Sequence, residues 1–293
     1  MKAFPVYLAI FFAVLCMSTS SIMIRFCSAP ALIIALYRLI MTTGIAGLGG
    51  GVALPEKVTA LSKRDFLFMC IAGVFLALHL ASWISSLSYT SISSSVLFTN
   101  LQVIFVLAFS LLFLHEKVNR AVTAGIAIAV AGSCLVATGD LQHGRLAGDM
   151  LALVSGAFIA VYYITGRHIR ARVDTMTYTF IVSGVASLVL LATTLGMGLA
   201  LSGYRPMDWV LFFLMALGPG IGGHAVFNWA LKYVKAPLVS VSILGESVGA
   251  SILGYLIFKE ALLWYQLSGG ALILLGIYLA VSNEQKNQPA QVQ

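Results

Sequence analysis

The sequence predicts an all-α integral membrane protein: ten transmembrane helices arranged as two inverted five-helix repeats. Three observations predict it. The 293 residues are 60% hydrophobic and only 9% charged. The apolar residues fall into ten runs long enough to cross a bilayer. The second half repeats the polar and glycine landmarks of the first. Soluble chains carry roughly 25% charged residues, and a soluble fold of this size cannot hide so much apolar surface. A lipid solvent removes that conflict.

A spanning helix needs about 20 predominantly apolar residues. The runs lie near 5–24, 30–54, 66–88, 91–114, 121–139, 149–166, 175–201, 207–231, 236–258 and 262–282. The first follows Met1-Lys2 and reads as a membrane helix, because many more spans follow and Leu15 before Cys16 fits a lipoprotein cleavage site poorly. From Phe66 to His115 there is no Lys, Arg, Asp or Glu, which leaves room for two helices joined by a tight turn at Ser88-Tyr89-Thr90-Ser91. In the eighth run Gly218-Pro219-Gly220-Ile221-Gly222-Gly223 interrupts the helix. Proline removes a backbone donor and glycine loosens the coil, so a kink is expected there. No segment is long enough for a separate soluble domain. Cys16, Cys27, Cys70 and Cys134 form no CxxC pair, so neither a disulfide framework nor a thiolate metal site is expected.

Net charge is +7, yet the basic residues sit between apolar runs. They read as topology signals, and no nucleic-acid partner is expected. With both termini in the cytoplasm, twelve Lys and Arg fall inside, four fall outside (Arg25, Arg145, Arg205, Lys259), and Arg38 lies within a span as the seventeenth. This bias predicts a bacterial inner membrane protein with an even number of spans.

A gapless shift of 144 residues lays 85–138 onto 229–282. Glu116 then meets Glu260, Gly125 meets Gly269 and Gly132 meets Gly276. The expected units are a first repeat over 1–139, a second over 147–283, and a cytoplasmic tail over 284–293. Five spans per half is odd, so the second half must enter the membrane from the opposite side, an arrangement typical of secondary transporters.

Several residues carry a resemblance. They are Tyr37-Arg38 in the second span, Trp83-Ile84-Ser85-Ser86-Leu87-Ser88-Tyr89-Thr90 closing the third, and Glu116 ending the fourth. Gly125 and Gly132 follow in the fifth, and the second half repeats the order with Glu260, Gly269 and Gly276. In these the chain resembles the drug/metabolite transporter (DMT) superfamily, EamA-type family. The resemblance implies a cavity lined by spans 1, 3, 4, 6, 8 and 9, and transport of amino acids, related metabolites or drug-like compounds, often as export. It also places Tyr162 and Tyr163 on a cavity helix.

Glu246 is the only acid well inside a span. A charge at that depth costs about 2.5–3.5 kcal/mol on insertion scales, so it reads as a group that binds a substrate amine or exchanges a proton. The alternative is a hydrogen-bonded structural glutamate. Its repeat partner is Gln102. Arg38 either snorkels to the outer surface, pairs with Glu246, or holds a carboxylate. His79 with Trp83, and His224 with Trp229, are spaced to share a helix face. They read as cavity lining, with Trp stacking on a ligand, or as packing. Asn100, Gln102 and Asn228 are polar at membrane depth and read either as interhelical hydrogen bonds or as substrate contacts. Gly245 and Gly249 form a packing seam, and Gly125 with Ala129 another. Glu116 and Glu260 sit at span ends, where capping or pairing with Lys117, Arg120 or Lys259 competes with a gating role.

The chain is expected to be a carrier and no enzyme. An integral-membrane enzyme would need paired acids, a nucleophile with its base, or a metal cluster, and a channel would show a ring of like groups. No Walker-type run binds ATP and no cofactor or metal is expected. The expected partners are the lipid bilayer, a small-molecule substrate and a proton as coupling ion, with monomer and homodimer both open.

Overall fold

The computed structural model describes residues 3–90, 92–116, 118–138, 146–259 and 263–287. Glu260, Lys117, Arg145 and the end of the tail lie outside them. Of the described residues 85% are helical, and none lies in a strand. Among the described residues, eight helices are long and apolar enough to cross a membrane. These are α1 (Pro5–Phe26), α2 (Ala31–Thr59) and α3 (Lys63–Ser86), then α6 (Leu146–Ile169), α7 (Thr175–Gly196), α8 (Pro206–Ala230), α9 (Ala236–Ile257) and α10 (Trp264–Asn283). Between α3 and α6 lie two shorter apolar stretches, α4 (Phe98–Phe113) and α5 (Arg120–Leu135). Leu48, Leu112, Phe113 and Leu188 stay exposed on the outer surface, as a lipid-facing surface requires.

Local chemistry sets the helix starts. Ser62 Oγ accepts the Asp65 backbone N–H at 3.0 Å and caps α3. Asp174 caps α7 by accepting from the Thr177 backbone N–H at 3.2 Å and its hydroxyl at 2.7 Å. Burial pushes the Asp174 carboxyl up, but the Thr177 bonds and the Lys57 charge outweigh it and hold the group below the usual carboxylate range. Pro206 and Pro237 sit in the first turns of α8 and α9, where their missing donor costs nothing.

Helix contacts come in swapped pairs. α3 packs on α6 while α1 packs on α8; α4 packs on α6 while α1 packs on α9; α3 packs on α7 while α2 packs on α8. Three contacts are their own mates: α2 with α7, α4 with α9, and α5 with α10. The last is a glycine seam. A Cβ on Gly125 would lie 2.7 Å from the Gly276 carbonyl oxygen, and one on Gly132 would lie 2.6 Å from that of Gly269. As one number rises the other falls, so α5 and α10 run antiparallel. Gly245 and Gly249 instead seat α9 on Val14 and Ser18 of α1.

Polar ties gather at the two ends of the bundle. At one end Arg167 reaches Glu116 at 2.7 Å and the Leu231 carbonyl, Arg172 meets Asp65 at 2.7 Å, and Lys57 meets Asp174 at 3.4 Å. Glu116 was expected to cap or to pair with Lys117 or Arg120; Arg167 and Ser110 are its partners among the described residues. At the other end Asp208 accepts from the Ser28 backbone and hydroxyl, and Thr90 donates to Asp149.

Candidate functional site

Two helices that line the centre are locally broken. The chain of α4 begins upstream of Phe98, and Ile92–Asn100 and Gln102–Phe113 are separate helical segments meeting at Leu101. In α9, Ala236–Ile243 and Gly245–Phe258 meet at Leu244. The tighter i to i+3 bonds Ile104 to Leu101 and Ser247 to Leu244 mark the breaks. Gln102 and Glu246 each stand in the first turn after the break. The positive dipole end of the second segment of α9 therefore lies beside a carboxyl. These breaks have no signal in the apolar pattern. Farther along, His115 just past α4 and Lys259 just past α9 are both in the left-handed region, at φ 51° and 58°. They are repeat mates too.

A cavity of about 30 Å³ opens between these helices. The first half contributes Met17 from α1, His79 and Trp83 from α3, and Thr99, Asn100 and Gln102 from α4. The second half contributes Ile159 and Tyr163 from α6, His224 from α8, and Ile243 and Glu246 from α9. Thus seven residues singled out in the sequence share one cavity: Glu246, His79, Trp83, Asn100, Gln102, Tyr163 and His224.

The walls are polar yet incompletely paired. Nδ1 of His79 lies 2.9 Å from the Ser155 hydroxyl and 3.1 Å from its carbonyl, which fixes the ring. His79 and Trp83 are nearly coplanar in orientation, centroids 6.2 Å apart, and His79 meets His224 edge-on at 6.4 Å. Both nitrogens of His224 are buried without a hydrogen-bond partner, as is Oε1 of Gln102. Asn100 donates to the Ser247 hydroxyl at 2.7 Å, tying α4 to α9. Glu246 is 8% exposed, and its carboxyl has no hydrogen bond or ion pair among the described residues. Buried polar groups usually have partners, so these open valences mark places for a ligand or water.

Three expected members stand elsewhere. Trp229 is half-buried and packs against Tyr233, centroids 5.0 Å apart. Five residues on an α-helix turn through about 140°, so it leaves the face that His224 presents. Asn228 donates to the Tyr162 hydroxyl and to the His224 carbonyl, and its own carbonyl accepts from Arg170. It braces α8 against α6. Arg38 does not snorkel, since it is 1% exposed, and it makes no ion pair with Glu246 among the described residues; Nη1 donates to Ser20 at 3.2 Å.

The glycine and proline run of α8 continues the helix as a π-helix over Ala216–Ala225. The glycines give close approach: a Cβ on Gly222 would strike Cys16 Sγ at 2.8 Å, and one on Gly223 would strike Met17 Sδ at 2.6 Å. Sequence reasoning also missed Arg170. It is 2% exposed and ties the end of α6 to the Val173 carbonyl and the Thr175 hydroxyl.

The model of the EamA-like transporter family matches residues 4–138 and again 146–282. An uncharacterized transporter of Archaeoglobus fulgidus is 27% identical over 93% of this chain and 94% of its own. The pseudopaline exporter CntI of Pseudomonas aeruginosa is 25% identical over 78% of each chain. A solved crystal structure superposes with a TM-score of 0.76 at 17% identity, covering 97% of this chain and 99% of the other.

Proposed function

The chain belongs to the EamA-like transporter family, and from that premise we propose that it is a secondary carrier exporting a small metabolite by alternating access. Two inverted five-helix halves, ten spans in all, move against each other around the central cavity. Both termini face the cytoplasm of a bacterial inner membrane.

One observation carries the reading: three helices from each half converge on one cavity with Glu246 in its wall. Broken helices at the binding site and inverted repeats are the usual build of secondary transporters. The antiparallel glycine seam and the swapped helix contacts support the inversion. A relative named as an exporter supports the direction.

Glu246 is the coupling group. A carboxyl with no fixed partner can exchange a proton or meet a substrate cation at low reorganisation cost. His79, Trp83 and His224 shape the apolar and aromatic wall. Asn100, Gln102 and Tyr163 supply directed hydrogen bonds.

The test is flux in proteoliposomes, with amino acids and amines first screened by thermal shift of the purified protein. Saturable transport stimulated by substrate on the far side is expected. A non-saturating flux without counterflow rejects the carrier.

A further inference from the structure

A second cavity of about 20 Å³ lies beside the first and shares His224 with it. Arg38 forms one wall, with Thr42 of the same helix and Gly220 of α8. Tyr162 and Thr179 complete the polar lining. The Arg38 side chain is 1% exposed, and its Nη2 is buried with no hydrogen-bond partner. No carboxylate lies within ion-pair distance among the described residues; the acid whose field it feels is Glu246. A guanidinium without a counter-ion at membrane depth is a costly arrangement.

The other donors point to the missing partner. The Tyr162 hydroxyl accepts from Asn228, so its own proton remains to be donated. Thr179 has a hydroxyl with no hydrogen bond among the described residues. The Thr42 hydroxyl is spent on the Arg38 carbonyl at 2.7 Å. One charged donor and two neutral donors thus line a space in which His224 can offer a neutral acceptor but no described group carries the negative charge that would balance the guanidinium.

We infer that the Arg38 cavity is an anion subsite, distinct from the Glu246 pocket, that takes a monatomic anion or one oxygen of a carboxylate. The cavity of about 20 Å³ is a small space, enough for an ordered water or a group of that size, so the subsite takes one small anion or one oxygen of a larger one. Charge-assisted bonds from a guanidinium to a carboxylate are among the strong ones. The anion comes either from solution, as chloride, or from the substrate. In the second case its other end lies in the adjoining cavity, past His224.

The experiment uses purified full-length protein in detergent with Hepes, a bulky sulfonate that carries no carboxylate, as the bulk anion. Sodium chloride, L-alanine and ethylamine are titrated at constant ionic strength, with melting temperature as the readout. A saturable rise of about 3–6 °C at tenfold Kd is expected from chloride or L-alanine. Arg38→Met should abolish it, and Arg38→Lys should weaken it. A rise with chloride identifies a solution anion. A rise with L-alanine, and none with chloride or ethylamine, identifies a substrate carboxylate. If Arg38→Met does not fold, weakening in Arg38→Lys decides. No saturable response, or an equal one in the variants, overturns the subsite. So does a double-mutant cycle in which Arg38→Met and Glu246→Gln are each destabilising but neutral together, since Glu246 is then the counter-ion. Binding is read without transport, so failure here leaves the carrier reading standing.

Discussion

Arg167, near the end of α6, joins Glu116 at 2.7 Å and the carbonyl of Leu231 at once. One side chain therefore clasps the ends of α4, α6 and α8, three of the helices that line the cavity. The pair is mostly buried, and removing one partner strands the other. Glu116→Arg and Arg167→Glu should each cost about 1–3 kcal/mol and slow transport at least tenfold. The double exchange should restore part of the rate, because the bond to Leu231 is lost in it. Flux in proteoliposomes and melting temperature check both. Independent, additive losses would show that the clasp has no role in transport.

Glu246→Gln keeps the shape of the side chain and removes its charge. Expression and melting temperature should stay within a few degrees of the parent, while transport falls by at least tenfold or loses its pH dependence. Undiminished flux with the parent's pH profile would exclude the coupling role.

His224 holds two nitrogens without partners in a buried site. A structural histidine would suffer when replaced; a ligand-facing one would not. His224→Phe is expected to match or exceed the parent in stability, since about 1–3 kcal/mol of unsatisfied desolvation is relieved. Its saturable transport should be lost. A large drop in melting temperature with transport retained points to packing.

The seam between α5 and α10 gives a sharper stability test. A Cβ on Gly276 would sit 2.5 Å from the Gly125 carbonyl oxygen, and backbone cannot step aside. Gly276→Ala should cost about 1–3 kcal/mol through forced separation of the helices. Gly44→Ala in α2 meets nothing within 4 Å and should be neutral or gain about 0.5–1 kcal/mol from helix propensity. Equal melting temperatures for the two variants would refute the close approach.

Much of the fold was legible because a bilayer simplifies the code. Apolar length marks crossings, and the eight membrane-length helices lie where apolar runs predict them. The remaining two apolar helices are shorter among the described residues. Glu246 announced itself as an acid in an apolar run, and the repeat led from it to Gln102. Met17, Thr99 and Ile243 carried no such sign, since they are ordinary membrane residues placed in the wall by packing. The breaks at Leu101 and Leu244 were hidden, because a single tightened turn changes neither hydropathy nor period. Arg170 was counted as a surface topology charge, and only tertiary contacts bury it. Trp229 stands one residue farther from His224 than Trp83 does from His79, enough to rotate it off the face. Arg38 was the reverse case: its depth was plain, but its solitude was not.

The glycine seam has a consequence for heredity. Gly125 and Gly132 are seven residues apart, and so are Gly269 and Gly276. Because each glycine docks on the carbonyl of the opposite one, the two intervals must match or the helices cannot nest at both points. Two unrelated genes would have to find that equality separately. A copied gene would inherit that equality, and with it a surface able to mate with its counterpart.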